Sequence, residues 1–296
     1  MKRFLPVLMV VTALQLVFST SSSADEQLRP VLENVYGEWR QAMISKNFNR
    51  WTKTISTERQ IEIRNRVLSE RRAWPSAVFE LPVAPPSLSG LKPARLNVRG
   101  PTAKSIYYGK VDFGVGGAPS DNILVLSFVK EDGWLYESAE FINLLALADV
   151  RTAFDKGDFS ELDKQEFQPS GNYPSAPPVQ LKGPVAAIAK VYCYCPGRKV
   201  TAQVNRKSRH EFANEKLAEV VIGGAHSGDN QIEFKVEKLA GGTGKEPLAL
   251  RVYVMSEKPG VRIPAVYEYL VEEGGSPQVR GSDTFTVSPE VMQKIR

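Results

Sequence analysis

Few residues in this chain could do chemistry, and their spacing decides what they can do. Gly241-Gly242-Thr243-Gly244-Lys245 ends like a phosphate-binding loop. The G-x-x-x-x-G-K-[ST] pattern would need glycine where Leu239 stands and a hydroxyl where Glu246 stands, so the segment reads as a glycine-rich hairpin. His210 and His226 are the only two histidines. Neither sits in an H-E-x-x-H pattern, no G-x-S-x-G is present, and the sequence assigns no catalytic residue, metal or cofactor. The basic run Arg198, Lys199, Arg206, Lys207 and Arg209 lacks interleaved exposed aromatics and reads as a solvated face.

Cys193 and Cys195 are the unusual pair. Residues i and i+2 of a strand point to one side, which brings both sulfurs together with Tyr192 and Tyr194 on the other side. Three chemistries remain open: an intramolecular disulfide, separate bonds to a partner chain, and a soft-metal site. Two thiolates with no nearby histidine make an incomplete metal site. Thiols outside the cytoplasm tend to oxidise, which puts the intramolecular disulfide first.

The N-terminus sets that compartment. Lys2 and Arg3 precede an apolar run from Phe4 to Phe18, and Ser22-Ser23-Ala24 supplies small residues of the kind a signal peptidase reads. The run is shorter than the roughly 20 residues of a membrane-spanning helix. We therefore expect residues 1–24 to be a cleaved signal peptide and the mature chain to be periplasmic or secreted, with no membrane span after cleavage. About 272 residues then remain, enough for two domains, and the net charge of +5 falls to +3 without Lys2 and Arg3. So small an excess does not imply nucleic acid. An apolar fraction of 42% fits packed cores rather than disorder.

Stepping along the chain, Leu28, Val31, Leu32, Val35, Trp39, Ala42 and Met43 recur at helical steps, with Asn47 as a stop. Thr57 and Gln60 fit a capping box for a second helix over 58–72. The period then becomes strand-like at 96–98, 103–113, 123–130 and 134–142, with Glu131-Asp132-Gly133 as a hairpin turn. Helices on one face of an antiparallel sheet follow, an α+β domain over 25–167.

Two helices, then a curved sheet closing on the Lys130-Glu131-Asp132-Gly133-Trp134 hairpin, resemble the nuclear-transport-factor-2-like or ketosteroid-isomerase-like cone over roughly residues 27–145. The resemblance implies a pocket between sheet and helices, used in some members for catalysis and in others for binding or assembly. Tyr107, Tyr108, Asp112, Tyr136, Glu137 and Glu140 are the polar strand residues that could face it. Alternation puts Tyr108 and Asp112 on one face and Tyr107 on the other.

Residues 143–154 read as a short apolar helix and 158–164 as a further helical turn. The run from Gln168 to Pro178 can form neither helix nor ladder and reads as a linker. Beyond it, strands at 185–195, 199–205, 218–222, 231–239, 248–255, 263–271 and 284–287 alternate with glycine-rich turns, and 214–217 reads as a helical turn. Ile232, Phe234 and Val236 point inward while Glu233, Lys235 and Glu237 point outward, the pattern of an all-β sandwich over 179–296. The segment Gly228-Asp229-Asn230-Gln231-Ile232 resembles the G-x-N-x-I strand start of immunoglobulin-like and jelly-roll modules.

These readings imply an exported, non-enzymatic binding or assembly protein of the cell envelope. Its partner would be a protein or other envelope component, a second copy of the chain included. The alternative is a small-molecule carrier or enzyme working in the cone-like pocket.

Overall fold

The computed structural model describes residues 23–111, 119–175, 177 and 179–296, with side chains described from Gln27. The leader up to Ser22, Asp112, and Ala176 and Pro178 of the linker lie outside them. Among the described residues the fold is mixed and mostly sheet, with few helices and three antiparallel four-stranded sheets.

The chain begins with α1 (Ser23–Ile44), α2 (Phe48–Trp51) and α3 (Thr57–Ser69). Asn47 does not merely stop α1. Its side chain accepts the Arg50 N–H and caps α2. Ser56, not Thr57, caps α3 by accepting the Arg59 N–H, while Gln60 turns away to donate to the Thr52 and Ile55 carbonyls. Thr57 instead gives its N–H and hydroxyl to Glu131 in the hairpin turn, a carboxylate at a helix N-terminus.

The first sheet is β1 (Lys92–Arg99), β2 (Thr102–Val111), β3 (Ser120–Lys130) and β4 (Trp134–Asn143), in that spatial order. Both of its faces are covered, which corrects the expectation of helices on one face. Tyr107, Leu124, Leu126 and Phe128 pack with Leu32 and Tyr36 of α1. On the other face Ile106, Tyr108, Ile123 and Val125 pack with Phe154, Leu162 and Phe167. Phe154 belongs to α4 (Ala148–Asp155), and Leu162 and Phe167 to 3-10 turns after it. The cause is visible in β3, where Ile123-Leu124-Val125-Leu126 is apolar without alternation, as a strand buried on both faces must be.

The remaining strands are β5 (Ala189–Tyr194), β6 (Arg198–Val204), β7 (Ser208–Ala213), β8 (Lys216–Val220), β9 (Gly228–Lys238), β10 (Leu248–Val254), β11 (Tyr267–Val271) and β12 (Arg280–Val287), followed by α5 (Pro289–Ile295). They form two sheets, ordered β11-β10-β5-β8 and β12-β9-β6-β7. One apolar cluster draws on both, with Val191, Val252, Val200, Phe212, Ile232 and Val287 fully buried. Residues 214–217, expected as a helical turn, divide instead: Asn214, at positive φ, and Glu215 carry the chain from β7 in one sheet to β8 in the other, and Lys216 and Leu217 begin β8.

Polar contacts join the halves of the chain. Asn65 and Ser69, both buried on α3, bond Val179, Leu181 and Gly223, and the Arg71 guanidinium donates to the Val185 carbonyl.

Candidate functional site

Of the six pocket residues expected on the first sheet, the five that are described do not converge. Tyr107 lies under α1, where its hydroxyl donates to Glu33 at 3.0 Å. Tyr108 lies on the opposite face and donates to Asp155 at 2.7 Å. Burial pushes both phenols up to about 12. Glu140 is exposed at the strand edge, and Asp112 is outside the described residues. The space beneath α1 is filled by Trp51, Tyr107, Leu124, Phe128 and Tyr136, all 4% exposed or less.

Tyr136 and Glu137 sit differently. Ser127 pairs with Ser138 and Phe128 with Tyr136, so Glu137 is the extra residue of a β-bulge in β4. The bulge turns its carboxylate toward the start of α3, where the Ser56 hydroxyl donates to it. Burial raises the Glu137 pKa above its ordinary value, and that hydrogen bond partly opposes the rise. The backbone of Tyr136 pairs with Thr54 and Ser56, and its ring packs against Trp39, tilted by 33° with centroids 4.1 Å apart. The Trp39 indole N–H is buried with no acceptor among the described residues.

These residues form one wall of a groove of about 1150 Å³ between the first sheet with α3 and the edge of the later strands. The facing wall is built by β7 and β8, including Ser208, His210, Glu219 and Val220. Sequence reasoning missed β7 as a strand, and with it the constellation there. The Ser208 hydroxyl meets His210 Nε2 at 2.8 Å, and His210 Nδ1 meets Glu219 at 2.8 Å. Its order is that of a hydrolase triad, but its hydrogen bonding is that of a structural relay. Ile222 N–H donates to Ser208 Oγ at 2.7 Å, Ser208 donates to the neutral imidazole, and Nδ1–H donates to Glu219. Ser208 is 1% and His210 3% exposed where they line the groove, and the serine hydroxyl is already engaged on both sides, by Ile222 N–H and by the imidazole. Burial holds the His210 pKa below 6.5, against the pull of Glu219.

The glycine-rich loop carries its own anion. The Glu246 carboxylate accepts the N–H groups of Thr243 and Gly244, at 2.5 and 2.9 Å, filling the cradle a phosphate would occupy. Backbone hydrogen bonds lower the Glu246 pKa to about 2. Arg198, buried, crosses to the Gly244 and Glu246 carbonyls at 2.9 and 2.7 Å. The expected basic face thereby dissolves in part, since Lys199 also pairs with Glu211, while Arg206, Lys207 and Arg209 stay exposed.

Cys193 and Cys195 are free thiols, both fully buried at the end of β5. Their shared hydrogen bond pulls the Cys195 thiol below its ordinary range and pushes Cys193 above it. Among the described residues, no three His, Cys, Asp or Glu side chains are placed to hold a metal ion.

No family model, curated protein or solved structure matches the chain.

Proposed function

We propose that the chain is an exported binding or assembly protein of the cell envelope, working through the groove rather than through a pocket in the first sheet. In this reading residues 25–167 form an α+β domain of the nuclear-transport-factor-2-like kind, 168–178 a linker and 179–296 a β-sandwich. Cleavage after Ala24 would remove only the first two residues of α1, leaving the helix over 28–44 intact. Among the described residues no helix is long and apolar enough to cross a membrane.

One observation carries the choice between binding and catalysis. The space under α1 is occupied by buried aromatic side chains, and Tyr107 and Tyr108 are paired with Glu33 and Asp155 on opposite faces of the sheet. General acid–base work needs an acid and a donor converging on open space, and Tyr107 and Tyr108 diverge from each other. The open space lies in the groove instead, where Trp39, Leu81 and Leu217 offer apolar surface beside charged rims. That mixture of apolar floor and polar margin suits recognition of another molecule.

The test places a photo-crosslinking residue at Leu81 or Ser138 in the groove, or at Val279 away from it, in cells exporting the protein. The groove positions should give a discrete adduct that Val279 does not. Equal labelling at all three, or none, would remove the groove from the account.

A further inference from the structure

Among the described residues β8 ends its sheet, with β5 on one side and no strand on the other. Cys195 N–H bonds the Glu215 carbonyl and Val221 N–H bonds the Ala189 carbonyl. In an antiparallel ladder that parity turns the backbone groups of Leu217 and Glu219 toward β5, and those of Lys216, Ala218 and Val220 outward. Farther along the same edge, Ile222 N–H is already taken by Ser208. Ala218 and Val220 line the groove, so a row of unpaired backbone donors and acceptors faces its open space.

Cations outnumber acids along this wall, with Lys190, Lys207 and Arg209 against Glu219. Every acid lining the groove is engaged: Glu219 with His210, Glu137 with Ser56, Glu62 with Arg59, and Glu70 and Glu80 with Arg72. Lys190, Lys207 and Arg209 line it with no ion pair among the described residues. On the facing wall the buried Trp39 N–H lacks an acceptor.

Building on the proposed binding role, we infer that the groove takes an extended, acidic segment of a partner polypeptide, which adds as a strand to the free edge of β8. Its backbone pairs with Lys216, Ala218 and Val220, alternate carboxylates meet Lys190, Lys207 and Arg209, and the intervening apolar side chains face the groove floor. Charge selects the segment, and the ladder fixes its direction and register.

The test uses the mature protein and three capped eight-residue probes, measured by fluorescence anisotropy. One alternates Glu and Val, one alternates Lys and Val, and one repeats the acidic sequence with every second amide N-methylated. Saturable binding of the acidic peptide alone is expected, with at least a tenfold loss on N-methylation. The Lys207→Glu/Arg209→Glu variant should lose at least tenfold as well. Ala218→Pro removes an N–H that bonds nothing within the fold, so the protein should fold with an unchanged circular dichroism spectrum while binding is abolished. Equal binding of the N-methylated peptide, or unimpaired binding by Ala218→Pro, would overturn the strand addition and leave a purely electrostatic contact. No binding of the acidic peptide would overturn the inference altogether. Either result leaves the crosslinking test of the groove standing by itself.

Discussion

Asn65 holds Leu181 as a neighbouring strand would: its side-chain oxygen accepts the Leu181 N–H at 2.9 Å, and its amide donates to the Val179 carbonyl at 2.6 Å. One buried side chain on α3 thus satisfies two backbone groups of the segment that starts the later strands. Asn65→Ala would leave both without partners. An orphaned group costs about 1–3 kcal/mol when fully buried, and Val179 and Leu181 are half-buried, so a loss of roughly 1–3 kcal/mol is expected in urea unfolding. Hydrogen exchange should quicken at Leu181 specifically. Unchanged exchange there would mean that the clamp does not form.

His210 makes stability fall in weak acid. Its folded pKa lies below 6.5, so the unfolded chain binds the proton first as pH drops. Its contribution is whole above about 6.5 and declines below that value until the folded pKa is passed. Glu137, with its raised pKa, acts in the opposite sense as pH rises above 4.5. The difference in unfolding free energy between wild type and His210→Gln isolates the histidine, and it should shrink as pH falls from 7 to 5. A difference independent of pH would contradict the buried neutral imidazole.

How much of this could be read beforehand differs by region, for physical reasons. The strand from Gly228 to Lys238 was legible because Ile232, Phe234 and Val236 alternate with charges and are the buried positions. The hairpin at Asp132-Gly133 was legible from turn chemistry, and Lys130 does pair with Trp134. β7 was not, because Ser208-Arg209-His210-Glu211-Phe212 holds no β-branched residue. Its inward faces are a serine and a histidine whose burial depends on Ile222 and Glu219 from elsewhere in the chain. The bulge at Glu137 left no local trace either, since register belongs to the pairing with β3.

Glu246 should titrate far below an ordinary glutamate. With its pKa lowered to about 2, its contribution to stability is present above 4.5 and is lost as pH falls toward 2. Carbon-13 NMR of the side-chain carboxyl reads this directly. Titration near 4.5 would show that the Thr243 and Gly244 amides are not occupied by Glu246.

The thiols of Cys193 and Cys195 lie on one side of β5 and its continuation, and we propose that they close to a disulfide in the exported protein, giving two electrons to the export compartment's thiol oxidase. Intact mass under non-reducing conditions should be two hydrogens lighter than the reduced form. Two alkylatable thiols in freshly exported, denatured protein would contradict closure.

The groove, and not a pocket holding Tyr107 or Tyr108 within the first sheet, is the proposed working surface. Hydroxyl-radical footprinting of the protein in intact exporting cells and after purification tests it most directly. Leu81 and Leu217, 47% and 43% exposed in the free chain, should be protected in cells. Leu145 and Val279, 74% and 66% exposed and outside the groove, should label equally in both states. Leu81 and Leu217 labelling as strongly in cells as in the purified protein would contradict the account.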